Sequence, residues 1–177
     1  TSISGYAEII REGMVKSEDV GRFAGKIYEE AQRLITLVED ILNLSHLDEG
    51  APGQERRQGI DLYALCERAV ASLAEAARQR GIAISLTGSR QRVDGAEKLL
   101  AEIIFNLCDN AIKYNQENGH VAVSVTREGD RVVLTVQDTG IGIPPGETDR
   151  VFERFYRVDK SHSKEIGGTG LGLSIVK

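Results

Sequence analysis

The chain has 177 residues, 41% of them hydrophobic and 28% charged, and a net charge of −5 at pH 7. That suits one globular domain, or a domain with an appendage, and it argues against nucleic acid as a main partner, because binding to a phosphate backbone is driven by clustered Lys and Arg. No apolar run approaches the roughly 20 residues of a bilayer span and no signal peptide opens the chain. The two cysteines, Cys66 and Cys108, sit inside helical patterns with no CxxC or CxxH spacing, so they read as reduced core residues of a cytosolic protein.

Ile3, Tyr6, Ala7, Ile10 and Met14 mark a first helix expected to end near Lys16. Residues 20 to 45 then carry a heptad pattern, with Val20, Ile27, Leu34 and Ile41 in one core position and Ala24, Ala31, Val38 and Ser45 in the other. Phe23, Leu37 and Leu44 widen the stripe beyond a two-stranded seam, which suits a helix of a four-helix bundle. Ser17 is the expected N-cap, with Glu18 and Asp19 complementing the helix dipole. The short break makes an antiparallel hairpin. Its arms differ, at about 16 residues (roughly 24 Å) against about 32 (roughly 48 Å). The far half of the second helix would present its apolar stripe to water, so residues are expected upstream of Thr1. The stretch from Leu171 to Lys177 likewise stops inside an apolar helical pattern, and the expectation is a fragment cut at both ends.

A hairpin over residues 1–50 is followed by a linker, residues 51–59, that is rich in Gly, Pro and charge. A second unit fills 60–177. In it, Asp61 to Gln79 read as a helix (Leu62, Leu65, Cys66, Ala69, Val70, Leu73), Ile82 to Thr87 as a strand and Ala96 to Tyr114 as another helix. Val121 to Thr126 and Arg131 to Asp138 alternate as strands joined by Arg127-Glu-Gly-Asp130, a hairpin signal. Residues 139 to 170 have no regular period, and a loop so long in a compact domain is usually functional.

Three short motifs carry chemistry. Asn106 and Asn110 are four apart on a helix and share a face, with Lys113 and Tyr114 one turn on. An Asn carbonyl oxygen can ligate a hard cation without adding charge, its amide can donate to phosphate, and Lys113 adds a point charge. The same spacing also suits two capping or surface asparagines. Asp138 falls in the strand row of Val132, Leu134 and Val136. A carboxylate entering that buried layer needs a partner. An exocyclic adenine amine is one, with Gly140 and Gly142 letting the backbone pass close to the ring; a plain strand-end turn is the other reading. Gly167-Gly168-Thr169-Gly170-Leu171-Gly172 precedes an apolar helical segment and offers backbone amides to an anion. It is neither a P-loop nor a dinucleotide fingerprint. Between the last two motifs, Phe152, Phe155, Tyr156, Arg157, Lys160 and Lys164 read as a lid over a nucleotide, with Arg157 the candidate for a phosphate, or as plain core aromatics.

Together these stretches resemble the N, G1 and G2 boxes of bacterial sensor histidine kinases, with Phe152 to Arg157 similar to the F box and residues 1–10 and 37–45 similar to the helices of the dimerisation and histidine-phosphotransfer hairpin. The resemblance covers essentially the whole chain. It implies an α+β protein: a helical hairpin forming half of a dimeric four-helix bundle, then an α/β sandwich ATP-binding domain with a mixed sheet. It further implies ATP and Mg²⁺ as cofactors, with Asn106, Asn110, Lys113, Tyr114, Asp138, Gly140, Gly142, Arg157, Gly168, Thr169, Gly170, Leu171 and Gly172 binding the nucleotide and Asn110 and Asn106 the metal. A homodimer, a response-regulator partner and a membrane-anchored parent with this portion in the cytoplasm are implied as well. In hydrolytic relatives of the fold a Glu stands four residues before the second Asn; here that place is Asn106, so transfer is favoured over hydrolysis.

The family's acceptor His, the acid after it and its downstream Thr or Asn would precede Thr1. Of the three histidines present, His46 lacks an adjacent acid, His120 lies in a turn and His162 between serines. The rival expectation is a nucleotide-binding dimerisation scaffold that transfers nothing.

Overall fold

The computed structural model describes residues 2–48, 56–158 and 170–176, and the chain divides into two compact units, Thr1–His46 and Leu47–Lys177. In the first, α1 (Ser2–Arg11) and α2 (Val20–Asp48) form a helical hairpin. Helix α1 ends well before Lys16. Gly13 takes a left-handed conformation (φ 67°). Its amide donates to the Ile10 carbonyl at 3.1 Å and that of Met14 to the Ile9 carbonyl at 3.0 Å. This pairing satisfies the last carbonyls of a helix and stops it. Ser17 does not cap α2; it opens a single 3-10 turn, Ser17–Asp19, that leads straight into the helix.

Near the turn the arms meet through Tyr6 and Phe23, whose rings lie edge to face at 5.6 Å, flanked by Arg22 and Lys26. Ten residues of α1 reach only about 15 Å along α2. Ile27 and Ala31 are accordingly half-buried, while Leu34, Ile35 and Val38 remain 48%, 50% and 54% exposed.

The second unit opens with β1 (Arg56–Asp61), which pairs antiparallel with β3 (Arg92–Ala96). Neither strand was expected, and β1 begins inside the stretch read as linker. Their sequences, RRQGID and RVDGA, are mostly polar, interrupted by Gly and free of clear alternation, and only the register pair Ile60 and Val93 turns toward the core. Asp61 ends β1 and caps α3 (Leu62–Gln79), its Oδ1 accepting the Ala64 amide at 3.1 Å. The three-stranded sheet runs in the order β2 (Ala83–Gly88), β4 (His120–Glu128), β5 (Arg131–Asp138), with β2 parallel and β5 antiparallel to β4. It is mixed, as expected.

Helix α3 and α4 (Glu97–Lys113) cover one face of the sheet. Val121, Val123 and Val125 point every second residue into that core and are fully buried, with Leu65, Cys66, Leu73, Ile104, Cys108 and Ile112 from the helices. Both cysteines are free, and burial pushes the Cys66 thiol up to about 11 and the Cys108 thiol to about 12. The opposite sheet face carries exposed Ser85, Thr87 and Thr135. Last comes α5 (Gly172–Val176). No helix among the described residues is long and apolar enough to cross a membrane.

Candidate functional site

Helix α4 organises the site. Its apolar face, Ile104, Cys108, Ala111 and Ile112, is buried. That rotation turns Asn106 and Asn110 out of the core as half-buried side chains. The turn after β5 and the segment leading into α5 both close on this helix. A β-carbon added at Gly172 would lie 3.3 Å from Asn106 Oδ1 and 3.7 Å from Asn110 Nδ2. The absent side chain is therefore what lets the glycine backbone approach the two amides. At the helix end, the Ile141 amide donates to the Tyr114 carbonyl at 3.1 Å. A β-carbon at Gly140 would collide with that same carbonyl and lie 2.7 Å from Asp138 Oδ1. Three motifs separated by up to 66 positions in sequence are thus gathered around one helix.

Asn106, Asn110, Lys113 and Tyr114 are all half-buried. Asp138 is exposed and accepts the Gly140 amide at 2.8 Å, which corrects the expectation of a buried carboxylate. The row of Val132, Leu134 and Val136 is half-buried, but Asp138 is the last residue of its strand, and its partner carboxylate oxygen stays available. Lys113 pairs with Asp109 at 2.6 Å across one helical turn; Asp109 was not singled out from the sequence, though its spacing of four from a Lys is an ordinary ion-pair signal.

In the segment before residue 159, Val151 is buried but Phe155 is 57% exposed. The reading of this segment's aromatics as plain core fails for Phe155. Its backbone is left-handed (φ 64°), uncommon for a bulky residue and enriched at functional sites. The Phe155 amide donates to the Gly170 carbonyl at 3.0 Å, and Gly170 (φ 77°) lies so close that a β-carbon would come within 2.9 Å of the Phe155 and Tyr156 backbone. Tyr156 donates its hydroxyl to Glu147, a bond that raises the phenol above its ordinary value, and Arg150 stacks 4.2 Å from its ring centroid. Next in chain, Arg157 has two guanidinium nitrogens, Nε and Nη2, buried without a hydrogen-bond partner among the described residues. Orphaned buried donors on a cation are costly unless an anion completes them.

Comparison with known proteins agrees with this arrangement. Residues 95–177 match the family described as histidine kinase-, DNA gyrase B- and HSP90-like ATPase, and residues 1–50 match the His Kinase A (phospho-acceptor) domain. The sensor-like histidine kinase SenX3 of Mycolicibacterium smegmatis is 38% identical over 98% of this chain. A solved mycobacterial sensor histidine kinase, MprB, is 32% identical, with a TM-score of 0.56 over 68% of this chain and 75% of that one.

The chain belongs to the sensor histidine kinases.

It resembles their catalytic core. A full-length structure of ShkA in complex with AMPPNP superposes with a TM-score of 0.70 over 99% of this chain and 36% of that one, at 28% identity. The chain spans 46% of the length of the SenX3 relative, so it corresponds to part of such a kinase.

Of the residues read as site residues, Asn106, Asn110, Lys113 and Tyr114 lie on α4 or at its end and Asp138, Gly140 and Gly172 come up against it, while Gly170 packs on the Phe155–Tyr156 backbone and Leu171 is fully buried. Gly142 follows the same turn with a left-handed backbone (φ 70°) and open space around it. Gly168 and Thr169 lie outside the described residues, as do Lys160, His162 and Lys164. Sequence reading missed Asn115 and Thr139, which hydrogen-bond to each other across the base of the site. Nothing in the local pattern marks either one, because their partners are 24 positions apart.

Proposed function

We propose that this chain is the ATP-binding core of an ATP-dependent protein-histidine kinase, with a hairpin over residues 1–50, a connection over 51–59 and the catalytic domain over 60–177. The γ-phosphoryl group of ATP passes to an imidazole nitrogen of an acceptor histidine in the parent protein, ADP leaves, and the phosphoryl group moves on to an Asp of a response regulator. The observation that carries the reading is the close approach of Gly172 to Asn106 and Asn110. It sets an anion-binding glycine turn directly over two neutral amides, with Asp138 at the far end of the same helix.

In this reading Asp138 accepts from the adenine amine, Gly140 and Gly142 let the backbone pass the ring, and Tyr114 shelters base or sugar. Asn106, Asn110 and Lys113 face the phosphates, Gly170, Leu171 and Gly172 bind them together with Gly168 and Thr169 of the same motif, and Arg157 completes its two buried nitrogens on a phosphate oxygen. Amide oxygens of Asn are suitable ligands for a hard cation, so Asn110 and Asn106 fit Mg²⁺, which when bound neutralises phosphate charge. Transfer of this kind relies on positioning and charge stabilisation, so the chain need supply no base beside ATP. Asn106 in place of a carboxylate leaves water unactivated. The match of residues 1–50 to the His Kinase A domain supports a homodimer built on the hairpin, and in this reading the parent sits in the cell membrane with this part in the cytoplasm.

The test is incubation of ATP labelled at the γ position, with Mg²⁺, with this chain and with a form extended by about 20 residues along its natural sequence. Acid-labile label on the extended form supports the kinase. ATP bound but no label on either form points to the scaffold, and steady release of free phosphate to an ATPase.

A further inference from the structure

Asn115 stands one residue beyond the cap of α4 and uses the full hydrogen-bonding capacity of its amide. Nδ2 donates to the Ala111 carbonyl at 3.0 Å and the His120 carbonyl at 3.1 Å. Oδ1 accepts the Gln116 amide at 3.0 Å and the Thr139 hydroxyl at 3.0 Å. Two donors and two acceptor sites are all that such a side chain offers. The Thr139 oxygen accepts in turn from the His120 amide at 2.9 Å. One side chain therefore ties three elements together: the last turn of α4, the first residue of β4 and the turn that follows β5.

The surroundings are shaped around this tie. Position 119 has no room for a side chain, since a β-carbon there would collide with Asn115 Oδ1 and lie 2.8 Å from Thr139 Oγ1. On either side of Thr139 stand Asp138 and Gly140. Gly140 is held again through its carbonyl, which accepts from Gln116 Nε2 at 3.3 Å, and Ile141 is held through its amide to Tyr114. Residues 114–116 thus grip residues 139–141 from one side, and the Asn115–Thr139 bond joins the grip side chain to side chain.

We propose that Asn115 is a positioning residue. Through Thr139 it fixes the Asp138–Gly140 turn at the correct distance from Asn110, Lys113 and Tyr114, and so sets nucleotide affinity without touching the nucleotide. The proposal rests on the ATP pocket described under Proposed function. Because the bond spans two motifs that each contribute to one ligand, its loss lets them move independently, and the ligand must then supply the ordering itself.

The experiment is calorimetric titration of this chain with Mg·ATP, at a temperature where circular dichroism shows every variant folded. Asn115→Ala and Thr139→Val are each expected to weaken binding about tenfold, and the double variant no more than the worse single one, because both remove the same link. Thr139→Ser, which keeps the hydroxyl, should recover most of the affinity. Val123→Ala, a core change at the centre of β4, serves as the stability control and should leave the affinity of the folded protein unaltered. Full affinity in Thr139→Val, or an equal loss in Val123→Ala, overturns the positioning role. Absence of ATP binding by the unsubstituted chain would instead overturn the pocket assignment itself.

Discussion

The two units of this chain solve the same problem in opposite ways. The ATP-binding unit closes its core within one chain: Val121, Val123 and Val125 on β4 are fully buried beneath α3 and α4. The hairpin does not, since Leu34, Ile35 and Val38 on α2 remain about half exposed, beyond the reach of the ten-residue α1. An amphipathic helix is stabilised mainly by burying its stripe. Among the described residues, then, one unit buries its apolar sheet face while the other leaves part of its apolar stripe open.

The sharpest way to break that contrast is on the hairpin. Leu34→Glu with Val38→Glu places charges one helical turn apart on the stripe, at about 3 kcal/mol or more for each one buried in an interface. Light scattering should report a monomer at micromolar concentration, while Mg·ATP affinity stays at the unsubstituted value; a persistent dimer would remove the assembly role of this stripe. Next, Ile104→Ala in the closed core should lower the stability of the ATP-binding unit by about 3 kcal/mol in urea denaturation, through lost burial and a residual cavity. The oligomeric state should not change, and a shift in it would mean that the units are not independent.

Asp138→Ala should weaken ATP binding about a hundredfold, or about 2.7 kcal/mol, since an unpaired adenine amine is left in the pocket. Retained affinity in calorimetry would remove the adenine assignment. The smallest effect concerns the cap of α3. The Ala64 amide, with Arg90 2.8 Å away, holds the Asp61 carboxyl below its ordinary 3.8. A depressed folded-state value contributes stability above the unfolded one and loses it as pH falls through the folded one. Asp61→Ala should therefore lower Tm at neutral pH, and the gap to the unsubstituted protein should narrow as the pH drops below 3.8. A gap that widens in acid would contradict this account of the cap.

How much was legible in the sequence varied with the kind of signal. Helices α3 and α4 and the β4–β5 hairpin carry strong 3.6- and 2-residue periodicity, and their positions agree with expectation to within a residue or two at most ends. The first helix was drawn too long because apolar Met14 extends its pattern, although Gly13 already ends it. Strands β1 and β3 were not visible, since two mostly polar, Gly-containing segments carry too little alternation to mark them, with Ile60 opposite Val93 the one apolar pair in their register. In the site, Asn106, Asn110, Asp138 and the glycines were recognisable from residue type and order. The exposure of Asp138 was not, because alternation says which face a residue shares but not where the overlying helices stop.

The sequence by itself determined the two-part organisation, the family resemblance and the set of residues proposed to carry nucleotide chemistry, because each is encoded by local spacing and residue type. Only the tertiary structure decided that Gly172 sits against Asn106 and Asn110, that Arg157 holds two buried donors without partners among the described residues, and that Asn115 ties α4 to the turn after β5. The physical reason is distance along the chain: these contacts join residues 24 to 66 positions apart, and hydrogen bonds or close backbone approaches between such segments leave no periodic trace in either one.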